Sequence, residues 1–183
     1  MLGLNLSVLS VILGLLVLAF NSWGVVRPAA FGVAVRRFPR SIGWGMALML
    51  LGTAWFIYNV SIERIADLEN LKKYLYALFA VVGIGACFFV QDYLAARGAA
   101  VVMMLLAKTL VDAARWADTS WRLVVVVWAY VLVIAGIWFT ISPHRMRDMI
   151  QWATANEQRT RLLSGLRAAF GLLLVILGLT VYR

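Results

Sequence analysis

No acidic or basic side chain occurs in the first 26 residues, and apolar runs of similar length return along the rest of the chain. A hydrocarbon core takes roughly 20 apolar residues of helix per crossing. The chain has 183 residues, is 64% hydrophobic and has a mean hydropathy of +0.91. A water-soluble domain of this size has no use for so much apolar surface. The fold class expected is an all-α integral membrane protein. The successive spans leave little chain for a soluble unit, so residues 1–183 are read as one polytopic membrane domain.

Net charge is +9. In a soluble chain that balance would point to nucleic acid. Here the basic residues fall in short connectors between apolar runs, where they set topology and meet anionic lipid headgroups. Membrane lipid is therefore the expected partner, and nucleic acid is not. One histidine and one cysteine exclude an internal disulfide and leave no ligand set for zinc or haem. No cofactor is expected.

Taken in order, residues 4–23 form the first span, ending in Trp23 at the interface. No basic residue precedes it and no A-x-A-like site follows Phe20, so it reads as an uncleaved span and not as a signal peptide. Pro28 then opens a short helix in the headgroup plane, with Phe31, Ala34, Val35 and Phe38 on one stripe. Pro39 ends it, and Ser41 caps the next helix. Spans follow at 42–58 and 74–90, joined by a polar connector at 61–73 that is expected to be helical. Residues 123–141 form another span. Pro143 starts a second interfacial helix, with Met146, Met149, Ile150 and Ala153 on its apolar stripe. Thr154-x-x-Glu157 has the spacing of a capping box, which would begin a last span over 162–182. Trp23, Trp44, Trp116, Trp121, Trp138 and Trp152 all fall at predicted membrane edges.

Residues 95–111 are the ambiguous span. Their uninterrupted apolar run, 98–107, is about half the usual spanning length. Either the segment crosses, or it is re-entrant. Lys108, Asp112 and Arg115 share one helical face within this stretch. They are the candidate intramembrane charge cluster, fit for an ion or proton relay or an anion contact. A plainer reading has the apolar segment end near Ala107, with Lys108 snorkelling to the headgroups and paired there with Asp112. Asp92 and Arg97 flank the turn before the segment and read as solvated loop charges. Arg36, Arg37, Arg40, His144, Arg145 and Arg147 are the candidate lipid-headgroup contacts. No catalytic constellation can be assembled from the residues present.

Two stretches, 4–58 and 120–182, share a plan of span, tryptophan, proline, interfacial helix and span. An offset of 115 aligns Trp23 with Trp138, Pro28 with Pro143, Phe31 with Met146 and Val35 with Ile150. A degenerate repeat would explain this. So would coincidence, because spans often end in Trp and short helices often start with Pro. If 95–111 crosses, there are about six transmembrane helices and both interfacial helices lie on one face. By the positive-inside rule that face is cytoplasmic. If the segment is re-entrant, the two units are inverted, a transporter pattern. The charge distribution favours six crossings.

The last third, on Pro143, Met146, Arg161, Gly165, Gly171 and Gly178, resembles a family of small bacterial inner-membrane proteins, the YjeT-like kind. Those have a span, a proline, a short amphipathic segment and a second, glycine-rich span. The resemblance implies a multi-pass protein of the bacterial inner membrane and implies no activity. The functional expectation is a non-enzymatic accessory or scaffolding subunit that packs against other membrane-protein subunits or against itself. The alternative is a small oligomeric transporter or channel working through Lys108 and Asp112.

Overall fold

The computed structural model describes residues 5–62 and 71–182, and they fold into eight α-helices. These are α1 (Leu6–Val26), α2 (Pro28–Arg37), α3 (Ile42–Ile62), α4 (Lys72–Phe89), α5 (Leu94–Arg115), α6 (Arg122–Ile141), α7 (His144–Ala153) and α8 (Glu157–Thr180). A single 3₁₀ turn, Phe38–Arg40, follows α2. Among the described residues, α1, α3, α4, α5, α6 and α8 are long and apolar enough to cross a membrane. The chain is thus an all-α multi-pass membrane protein. The expected helix over 61–73 falls mainly on residues 63–70, which lie outside the described residues.

The ambiguous span is an unbroken helix of 22 residues. At 1.5 Å per residue it is about 33 Å long, enough for one crossing. It is also the most enclosed helix: 50% of its most apolar stretch is buried, against 28% at most for any other. Small side chains allow this. Ala95, Ala96, Ala100 and Ala107 have no exposed surface. α3 packs on one side of α5 and α6 on another. α3 and α5 run parallel: Gly45 lies against Leu94 and Ala95, Gly98 against Leu48 and Met49, and Gly52 against Val101. On the α6 side, Gly136 lies against Ala100 and Met104.

The two ends of the chain close on each other. α1 and α8 form the most extensive helix pair in the molecule. A Cβ on Gly14 would stand 2.7 Å from the Gly171 carbonyl oxygen, and one on Gly171 would stand 2.8 Å from that of Gly14. Ser7 Oγ donates to the Gly178 carbonyl at 2.6 Å. Small residues two turns apart thus let the backbones meet, which is how helices gain contact where lipid offers no hydrophobic drive. Leu6, Leu9, Leu110, Val125, Leu174 and Leu177 fill the core beside this seam.

The two expected hinges share one geometry. At the end of α1, Arg27 has φ −130° and ψ 69°, and its N–H donates to Trp23 at 2.8 Å. At the end of α6, Ser142 has φ −132° and ψ 75°, and its N–H donates to Trp138 at 2.8 Å. Proline follows both times, and a ten-residue helix turns back over the bundle. Each plugs the core with one side chain, Phe31 at 3% exposed and Met146 at 5%. The rest of the two expected stripes is less buried: Val35 and Ile150 are half-buried, and Ala34 and Met149 are exposed. α2 and α7 touch each other, so both units turn on the same side of the bundle. The inverted arrangement is excluded by that contact.

Two expected caps resolve differently. Ser41 Oγ accepts from Trp44 N at 3.4 Å, as its position before α3 requires. Thr154 does not begin α8. It ends α7, and Asn156 caps α8 by accepting from Arg159 N at 2.7 Å.

Gly171→Ala should destabilise the protein by about 1–3 kcal/mol through overpacking, even though alanine is the better helix former. Gly43→Ala, where nothing lies within 4 Å of the new Cβ, should stabilise it by about 0.5–1 kcal/mol. Thermal unfolding in one detergent compares the two. With Cys87 replaced by Ser, single cysteines at Thr119 and Asn156 should react with an impermeant thiol reagent from opposite sides of the membrane. Labelling of both from one side would remove a crossing.

Candidate functional site

The α2/α7 face gathers most of the chain's arginines. The 3₁₀ turn and α7 lie over the start of α5, where Met146 joins Ala96, Ala99 and Ala100, while α2 packs beside them on α1 and α8, with Phe31 against Phe20 and Trp23. That placement presents Arg36 and Arg37 from the last turn of α2, Arg40 from the 3₁₀ turn, and His144, Arg145 and Arg147 from α7.

The structure divides these expected headgroup contacts into two groups. Arg36 reaches across to the end of α7. Its Nε donates to Thr154 Oγ1 at 2.8 Å, and its Nη2 donates to the Thr154 carbonyl oxygen. Thr154 Oγ1 in turn donates a hydrogen bond to the Ile150 carbonyl at 2.7 Å. A guanidinium thus takes up a carbonyl that the end of a helix leaves open, where a cation also meets the negative end of the helix dipole. Arg147 is held as well. Its Nε and Nη2 donate to Asp148 Oδ1 at 2.9 and 2.7 Å, and its Nη1 donates to the Tyr93 hydroxyl at 3.1 Å. The Asp148 hydrogen bond and charge raise the Arg147 pKa further above its ordinary value. Arg37, Arg40, His144 and Arg145 stay exposed and are the residues of this group open to an external anion.

Tyr93 is the pivot under this face. It has φ 55° and ψ 31°, the left-handed region that non-glycine residues seldom occupy. It caps α5 while its hydroxyl takes the bond from α7. Arg159 completes the rim: its guanidinium lies 4.9 Å from the Trp152 ring centre and donates to the Trp152 carbonyl at 3.2 Å.

The charged face of α5 is as the spacing required, but it is turned outward. Lys108 Nζ and Asp112 Oδ2 stand 2.8 Å apart, with side chains 43% and 42% exposed. Arg115 is exposed on the same face, and no ion pair joins it to Asp112 among the described residues. The pair sits on the outer surface of the single chain, near the end of the helix away from α2 and α7. Arg122 closes that end, donating to the carbonyls of Arg115 and Ala117.

Arg97 is the residue that sequence reasoning misplaced. It lies inside α5 and not in the turn before it. Its side chain is half-buried, its Nε is shielded from solvent without a hydrogen-bond partner, and Asp92 stands exposed and apart. The signal was present in the sequence: Arg97 is eleven residues before Lys108, three turns along the same helical face. Among the described residues, no three His, Cys, Asp or Glu side chains come together in a way that would hold a metal ion.

Residues 124–181 match the model of a family described as an uncharacterized protein conserved in bacteria, DUF2065. The match covers nearly all of α6 and the whole of α7 and α8, the part of the chain that carries the resemblance to the YjeT-like proteins. No curated protein and no solved structure matches the chain.

Arg36→Ala should cost about 1 kcal/mol of stability, and Thr154→Val a similar amount. The double variant should be less harmful than the sum, because both remove one interaction. Arg37→Ala, with its exposed side chain, should change stability by no more than about 0.5 kcal/mol. A double-mutant cycle on thermal unfolding checks all four proteins.

Proposed function

We propose that the protein is a non-enzymatic accessory subunit that packs, through the outer face of α8, against another membrane helix in a larger assembly. The observation that carries this reading is an open groove of about 650 Å³ along α8, lined by Gln158, Arg161, Leu162, Gly165, Leu166 and Ala169. A Cβ on Gly165 would meet nothing within 4 Å, in contrast to Gly14 and Gly171, which are closed against each other. Gly165 and Ala169 are one turn apart, the spacing at which small residues admit a second helix. Leu162 and Leu166, one turn apart, form a ridge along one side, 69% and 66% exposed. They supply the apolar contact that would flank such a crossing. Arg161 and Gln158, at the α2/α7 end of the groove, would give the contact a polar rim at the headgroups.

The bacterial family match and the concentration of arginines on one face support placement in the inner membrane with the α2/α7 face in the cytoplasm. In that orientation the groove reaches from the cytoplasmic headgroups into the bilayer.

A photo-crosslinking residue in place of Leu162 should give one discrete adduct in native membranes. The added substitutions Gly165→Leu and Ala169→Leu should abolish it while leaving the melting temperature of the purified protein within a few degrees. A monomer in mild detergent that gives no adduct would reject the reading.

A further inference from the structure

Arg97 is a cation without a counterion among the described residues. Its Nε makes no hydrogen bond, and among the described residues no carboxylate pairs with its guanidinium. The acids on the same face are otherwise placed: Asp148 is held by Arg147, while Asp92 and Glu157 are exposed. The depth of Arg97 follows from the parallel packing of α3 and α5. Gly98 lies against Leu48 and Met49, so Arg97 is level with the second turn of α3, about 9 Å below its start. An unpaired guanidinium at that depth is unfavourable, and a long side chain there turns its head towards the phosphate layer.

The surface below Arg97 is apolar. Val101 and Met104 follow it one and two turns deeper on the same face of α5. Both are half-buried. Val101 meets α3 at Gly52, and Met104 meets α6 at Gly136. They lie on the strip of α5 between its contacts with α3 and with α6, below a single cation.

We propose that Arg97 binds the phosphate of an anionic phospholipid from the leaflet on the α2/α7 face, with one acyl chain lying over Val101 and Met104. The planar guanidinium presents paired N–H groups that match two phosphate oxygens. A soluble phosphate satisfies the cation but gains nothing from the apolar strip. A phospholipid satisfies both. The exposed Arg37, Arg40, His144 and Arg145 on the same side favour a headgroup with net negative charge over a zwitterionic one. The site does not involve the outer face of α8, and its failure would leave the packing role of that face untouched.

The test uses the full chain, purified and stripped of lipid in detergent, then titrated with phosphatidylglycerol, phosphatidylcholine or inorganic phosphate. Native mass spectrometry counts bound lipid, and thermal unfolding reads its effect. One phosphatidylglycerol per chain should be retained and should raise the melting temperature, with phosphatidylcholine and inorganic phosphate weaker on both readouts. Arg97→Gln should weaken phosphatidylglycerol binding about tenfold, Arg97→Lys should recover part of it, and Lys73→Gln, exposed at the opposite end of the bundle, should bind as the parent does. Equal response of the parent protein to all three additives would overturn the proposal whatever the variants do. Undiminished binding by Arg97→Gln would overturn it as well.

Discussion

Close approach to α5 is the contact on which the bundle depends. Its alanines and Gly98 give α3 and α6 surfaces to press against, and Ala107, Leu110 and Ala114 continue into the core beside α1 and α8. A helix buried on several sides in this way has one face left for charge. Arg97, Lys108, Asp112 and Arg115 all lie on it. The small faces and the charged face thus answer one another: the first let neighbours in, and the second marks the side from which they are excluded.

The helices flanking α5 repeat one manoeuvre. α1 and α6 each end in a residue with the same extended kink, hand the chain to a proline, and send a ten-residue helix back over the bundle. The outcomes differ because of what the returning spans meet. α8 closes directly on α1, where Gly14, Gly171 and Gly178 allow the backbones to touch. α3 meets α5, which stands between it and α6. α5, which like α4 lies outside the two stretches, therefore sets the difference between them.

Arginine does two kinds of work on the α2/α7 face. Arg36 and Arg147 are structural. One ties the end of α2 to the end of α7, and the other ties α7 to the turn before α5. Arg37, Arg40 and Arg145 are directed outward and set the charge of the surface. Rigid short helices clasped to the bundle hold that charge at a fixed height over the start of α5. A pair of loosely lying amphipathic helices would not, because lipid contact alone does not fix their position.

Five of the crossings, the two proline hinges and the excess of arginine on one side were legible in the chain itself, whereas the crossing by residues 95–111 stayed open until the helix was seen to run unbroken. Each depends on segment length, local hydropathy or the fixed backbone angle of proline, and these act over a few residues. The shared face of Lys108, Asp112 and Arg115 was legible for the same reason, since helical periodicity is local. The tertiary structure alone decided which faces turn inward. Arg36 and Arg37 are neighbours in sequence and both exposed, yet it is Arg36 that reaches Thr154, 118 positions away. Thr154 looked like the start of α8 and proved to be the end of α7, because a carbonyl-seeking arginine and Asn156 were better placed for the two tasks. Arg97 read as a loop charge because the apolar run begins after it. Only the packing of α3 and α6 around α5 set that arginine level with the second turn of α3, its Nε shielded and without a hydrogen-bond partner.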